Sequence, residues 1–181
     1  RGEIGDDSTF VGMYAREMRK LIIFTGPPVD KTQDHRYINE FMSFEGERVI
    51  CGGTTANLVS EFMNEKIETD ITNLSPDIPP IGRMTGVNLV TEGIVTLAKV
   101  IEYLKKGPGQ IDESAGGKNG AALLLNKLLS ADYIQFLVGQ TVNPYYQNPL
   151  LPRNLSIRVS LIRELSELLS GLRKEVAVTL C

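Results

Sequence analysis

Residues 48–59 read RVICGGTTANLV, and their types and spacing suit the binding of an anion. The apolar run Val49-Ile50-Cys51 fits a buried parallel strand, which Gly52-Gly53 then breaks. Thr54 and Thr55 open a stretch with helical apolar spacing, and either hydroxyl is placed to cap it. The free amides of a helix N-terminus, at the positive end of its dipole, attract phosphate or carboxylate, and glycine lets such a group approach the main chain. The same four residues also serve as an ordinary strand-to-helix turn, so they carry a mechanism without an exclusive function. Two more apolar runs end in similar turns: Thr25-Gly26-Pro27-Pro28 after residues 20–24, and Gly139-Gln140-Thr141-Val142-Asn143 after residues 133–138. In an open parallel sheet such turns share one edge, where ligands bind at a reversal of strand order. The candidate ligand-binding set is therefore Gly26, Pro27, Gly52, Gly53, Thr54, Thr55 and Asn57. Asp30, Lys31, Asp34 and Glu92 either charge that edge or stand on solvated loops.

Other chemistries fit less well. A phosphate-binding P-loop needs glycine, four residues, then Gly-Lys-Ser/Thr; the nearest text, Gly117-Lys118-Asn119, lacks the hydroxyl and has Asp112 where the first glycine belongs. The dinucleotide pattern GxGxxG is absent. His35 is the only imidazole and stands between Asp34 and Arg36 with no neighbouring Ser or Cys to activate, which suits a surface histidine at a helix start. Cys51 beside the glycine turn is either a dipole-activated thiol or a buried structural cysteine, and its apolar flanks favour the second. Asp6-Asp7 form an acidic turn leading into the apolar Phe10-Val11, and two adjacent carboxylates do not complete an octahedral Mg²⁺ or Mn²⁺ site by themselves. No set of acid, base and nucleophile emerges from the spacing, so an independent enzyme acting on a phosphorylated small molecule is the weakest reading.

The elements that position the turns follow from periodicity. Apolar or alternating runs at 20–24, 48–51, 66–71, 133–138 and 176–180 predict strands, the third at a sheet edge. Helices are predicted from about 34 with Tyr37, Ile38, Phe41 and Met42 inward, and over 54–64 with Ala56, Val59, Phe62 and Met63 inward. A third helix, capped near Thr91, has Ile94, Leu97, Ala98, Ile101 and Leu104 on one face. A short helix covers 121–129, and the strongest amphipathic one carries Leu161, Ile162, Leu165, Leu168, Leu169 and Leu172. Residues 76–86 read as a loop, the glycine-rich 107–120 as a flexible connector, and 143–152 (NPYYQNPLLP) as an irregular aromatic segment and candidate contact surface. The alternation of strands and helices predicts an α/β fold: a mostly parallel open sheet of about five strands with helices on both faces.

Bulk properties set the remaining bounds. The 181 residues suffice for one good core with an appendage, and 42% of them are hydrophobic. A net charge of −3 with a pI near 5.3 lacks the electrostatic footprint of a nucleic-acid binder. Cys51 and Cys181 are too few for a disulfide framework and, with His35, for a four-ligand zinc site. No apolar run approaches the roughly 20 residues of a membrane span and no signal peptide opens the chain, so a cytoplasmic protein with no membrane partner is expected. The first residue, Arg1, suggests a piece of a longer protein.

Two stretches together carry a resemblance. GDDSTFVGMY resembles the last metal-binding turn and strand of the SpoIIE-type, metal-dependent serine/threonine protein phosphatases. KLIIFTGPP, VICGGTTAN, NLVTEGIVTL, LVGQTVNP and LPRNLSIR look like the extra C-terminal domain that follows this phosphatase domain in some anaerobic bacteria. The resemblance implies that residues 1–18 are a terminal strand of a truncated phosphatase domain and that 19–181 form the appended α/β domain. By it Asp6 is the position that contributes to the catalytic metal pair, Mg or Mn in the complete enzyme. The earlier acidic motifs and nearly all of the phosphatase sandwich are missing, so no catalysis and no cofactor are expected of this chain alone. The expected function is ligand sensing or regulation of the attached phosphatase domain through a small anionic ligand. The alternative is a protein-interaction or oligomerisation domain without such a ligand, self-association included.

Overall fold

The computed structural model describes residues 9–70, 81–107, 119–141 and 157–181. The elements run β1 (Lys20–Thr25), a 3-10 turn (Lys31–Gln33), α1 (Asp34–Ser43), β2 (Glu47–Cys51), α2 (Gly53–Met63), β3 (Glu68–Asp70), β4 (Ile81–Met84), β5 (Val87–Thr91), α3 (Ile94–Lys106), α4 (Gly120–Ser130), β6 (Tyr133–Val138), α5 (Ile157–Gly171) and β7 (Glu175–Leu180). This is an α/β fold with one sheet in the order β3-β4-β5-β2-β1-β6-β7. The five strands β5, β2, β1, β6 and β7 are mutually parallel, and β4 runs antiparallel to both β5 and β3.

Helices cover both faces, which is why β1 reads as unbroken apolar text. Leu21 and Ile23 face a core shared with α3, α4 and α5, while Ile22 and Phe24 face one shared with α1 and α2. All four are at most 1% exposed, and each side chain of this size contributes about 1.5–3 kcal/mol through burial. On α1 the 3.6-residue spacing buries Tyr37, Ile38 and Phe41. On α2 Ala56 and Val59 are buried while Met63 turns outward at 36% exposure. α3 is rotated from the expected face: Thr96, Val100 and Tyr103 are buried beside Leu97 and Ile101, and Ala98 is exposed.

Several boundaries differ from the sequence expectation. Residues 81–84 belong to a strand rather than a loop, and Thr85-Gly86 turns it into β5, with Gly86 at φ +77°. Thr91 closes β5 instead of capping α3; Gly93 is the cap residue, and the Glu92 carboxylate accepts from the Val95 amide at 3.0 Å. Of the 107–120 connector, residues 108–118 lie outside the described residues. Asn119 caps α4 by accepting from the Ala122 amide at 2.7 Å. The whole segment 143–152 and both Asp6 and Asp7 also fall outside the described residues.

Residues 9–19 carry no regular element, and Phe10, Val11, Met13 and Tyr14 are 86–94% exposed. Their end is tied at the amino edge of the sheet: the Asp132 carboxylate accepts from the Arg16 guanidinium, 2.7 Å to Oδ1, and from the Arg19 amide at 2.9 Å. No described helix is long and apolar enough to cross a membrane.

Candidate functional site

Chain winding defines one place where a ligand crevice is expected. From β1 the chain moves outward through β2 to β5, then returns to lay β6 on the opposite side of β1 and β7 beyond it. Strand order therefore reverses between β1 and β6, at the carboxyl edge where the three glycine and threonine turns emerge. β2, β1 and β6 are neighbours, so those turns meet.

They are bound to one another. Thr55 Oγ1 accepts from the Gly26 amide at 2.8 Å, joining the turn after β2 to the turn after β1. Gly139 N donates to Thr25 O at 2.9 Å, and Thr141 Oγ1 donates to Pro28 O at 2.7 Å, joining the turns after β1 and β6. Gly139 has to be glycine because a Cβ there would strike the carbonyl oxygens of Gly26 and Pro27. At Gly26, with φ +82°, a Cβ would strike the Arg158 guanidinium and the Gly139 carbonyl.

Each candidate residue takes a definite place. Thr55 is 1% exposed and holds the turns together, so its hydroxyl does not line an open site. Neither threonine caps α2: Gly52, at φ 127° and ψ 129°, is the cap residue, and no described side chain accepts from the first amides of the helix. The approach to that helix end is open, with Gly53, Thr54 and Asn57 exposed and Gly52 half-buried. A Cβ on Gly53 would meet nothing within 4 Å. Gly26 is buried and Pro27 half-buried between the joined turns. Asp30 caps the 3-10 turn through the Thr32 amide at 2.9 Å, and its carboxyl is held below the ordinary range by the Thr32 hydroxyl, the Thr32 amide and Gln33.

Arg158, on the first turn of α5, is the site residue that motif reasoning missed. It is half-buried, and its Nη1 donates to Gly139 O at 2.7 Å and Thr141 O at 3.3 Å. Its recorded partners are carbonyls, and it forms no ion pair with a described residue. Burial pushes its pKa below the ordinary guanidinium value, with the Cys181 thiol opposing that shift. A half-buried cation with no carboxylate partner among the described residues therefore sits on the switch point. The signal in the sequence was an arginine at the start of the amphipathic stretch that carries Ile162, Leu165 and Leu169.

Two buried acceptors bracket the first turn. Thr25 Oγ1 and Asp34 Oδ1 have no hydrogen-bond partner, and Thr25 is fully buried. The Cys181 thiol is raised to about 11, first by burial and then by the negative charges of Glu40 and Asp34, with Arg158 opposing. Asp34 and Arg158 thus both act on the end of β7. The sheet's last row on the α3, α4 and α5 face aligns Thr91, Cys51, Thr25 and Val138.

Cys51 is a structural residue. Its thiol is buried, accepts from Thr91 Oγ1 at 3.4 Å, and is pushed up to about 12 by burial. His35 stands exposed at the start of α1, edge-on to the Phe62 ring at 4.7 Å. Among the described residues no three His, Cys, Asp or Glu side chains gather as metal ligands. A separate groove of about 980 Å³, lined by Glu65, Lys66, Arg83 and Asn88 among others, lies at the β3 to β5 hairpin and includes none of the candidate site residues.

Comparison with protein-family models, with curated proteins and with solved structures finds no match to this chain.

Proposed function

We propose that this chain is a ligand-sensing α/β module that binds a small anion at the carboxyl edge of its sheet, over the switch between β1 and β6. The observation that carries the proposal is the Arg158 guanidinium, partly desolvated and without a carboxylate partner among the described residues, between turns already joined through Gly26, Thr55 and Gly139. An anionic group on the ligand supplies the missing counter-charge and takes further hydrogen bonds from the uncapped amides of Gly53 and Thr54.

In the same proposal the module belongs to a SpoIIE-type serine/threonine phosphatase of bacterial origin, with Asp6 among the Mg or Mn ligands of the complete enzyme. The support is the ordered set of motifs from GDDSTFVGMY to LPRNLSIR. Ligand binding regulates such a parent only if affinity differs between two of its states.

Thermal melting of the chain with inorganic phosphate, nucleotides and small carboxylates tests the site. A ligand at about 100 times its dissociation constant adds about 2.7 kcal/mol, which for a chain of this length raises the melting temperature by about 5–10 °C. Arg158→Ala removes that rise and Thr54→Ala reduces it. No rise with any of these probes, or the same rise in Arg158→Ala, contradicts the proposal.

A further inference from the structure

The two edges of the sheet are built differently. β3 closes one edge with three residues, whereas β7 closes the other with six, Glu175–Leu180, all in register with β6. The outer side of β7 pairs with no described strand. EVAVTL contains no lysine, proline, glycine or bulge, the features by which exposed edges are ordinarily protected from pairing. Val178 is 44% and Leu180 49% exposed on this edge. They line an open groove of about 650 Å³ against α5, with Ile162, Arg163, Ser166 and Glu167 on the helix side.

We propose that β7 and this groove are a self-association surface, and that the occupant is a second copy of the chain paired β7 to β7 in antiparallel fashion about a two-fold axis perpendicular to the sheet. An isologous contact requires a patch complementary to itself. The groove stripe from residue 159 to 170 is about 16–17 Å long at 1.5 Å per helical residue, and so is a six-residue strand at 3.3 Å per residue. A two-fold axis between the paired strands, beside the middle of β7, therefore also passes near the middle of that stripe, around residue 165. It sets the two α5 helices antiparallel on one face of a continuous sheet. Arg163 and Glu167 lie two residues to either side of that centre, so each Arg163 meets the Glu167 of the other copy. Neither forms an ion pair with a described residue of its own chain. Val178 and Leu180 of the two copies fill the groove between the helices.

Light scattering and sedimentation of the 181-residue chain over a concentration series test this, with the dimer as the expected species. Arg163→Glu and Glu167→Arg each weaken dimerisation at least about fivefold, because each turns two symmetry-related attractions into repulsions, and the double exchange restores it. Val178→Lys gives a monomer that keeps the native circular dichroism spectrum. The two helix-surface exchanges decide the matter even if Val178→Lys does not fold. A monomer throughout the series, a dimer unaffected by Val178→Lys, or a double exchange that fails to recover association overturns the proposal. So does a monomer whose β7 amides resist hydrogen exchange, since the edge is then covered from within the chain, as by residues 9–15.

Discussion

Single residues at the carboxyl edge divide into those that hold the turns and those left open. Thr55 is of the first kind. Thr55→Val keeps the shape but leaves the Gly26 amide without its 2.8 Å acceptor, and urea denaturation is expected to show a loss of about 1–3 kcal/mol. Thr54→Ala, at an exposed position, is expected to change stability by less than about 0.5 kcal/mol while weakening ligand binding. Sequence could not separate these two adjacent threonines, because which hydroxyl meets Gly26 depends on how β2 sits beside β1. Cys51 gives a second prediction. Its folded pKa of about 12 lies above the ordinary 9.0, so the stability tied to its protonated thiol is complete below pH 9.0 and is lost as pH rises toward 12. Alkaline denaturation of Cys51→Ala should show a shallower fall over that range than the parent chain.

Elements were legible where burial made their patterns strong. The doubly buried β1 and β6 and the amphipathic α1 and α5 appear close to where apolar spacing put them. β4 and β5 did not, because Gly82, Arg83 and Asn88 interrupt their apolar pattern and the pairing that makes them strands comes from neighbouring strands, β3 beside β4 and β2 beside β5. The register of Gly82 with Val90 even shifts before Met84 meets Val87. α3 follows its period but is rotated, since Val100 and Tyr103 pack inward in place of Ala98. The approach to β1 depends on one charged contact. Asp132 is held well below its ordinary 3.8, first by the Arg16 guanidinium and then by the Arg19 amide. A depressed carboxyl stabilises the fold above its unfolded value, and that contribution drains as pH falls below 3.8 toward the folded value. In acid titration followed by proteolysis, cleavage within residues 16–19, the part tied to Asp132, should rise as Asp132 protonates, and Asp132→Asn should be cleaved there already at neutral pH. Equal resistance in the two chains across the titration would contradict this.

For the whole molecule, the order β5-β2-β1-β6-β7 turns scattered turns into one edge. Three glycine and threonine turns spread over more than 100 positions of sequence meet because a parallel sheet puts every strand's end on the same side. That convergence was readable from the sequence; Arg158 was not, since its value comes from burial against Gly139 and Thr141 on an element, α5, whose start is far along the chain from them. Sensing and self-association use neighbouring parts of the sheet, the β1/β6 switch point and the outer flank of β7 next to β6, with α5 bordering both; anion titration and oligomeric state report on them separately. The central claim is that an anion binds at the β1/β6 switch. Amide chemical shifts of the labelled chain during titration with the phosphate or carboxylate probe that raises its melting temperature test it most directly. The account predicts saturable shifts confined to Gly26, Gly52 to Thr54, Gly139 to Thr141 and Arg158, and their loss in Arg158→Ala. Shifts centred on the β3 to β5 hairpin, or a titration that leaves these amides unmoved, would contradict it.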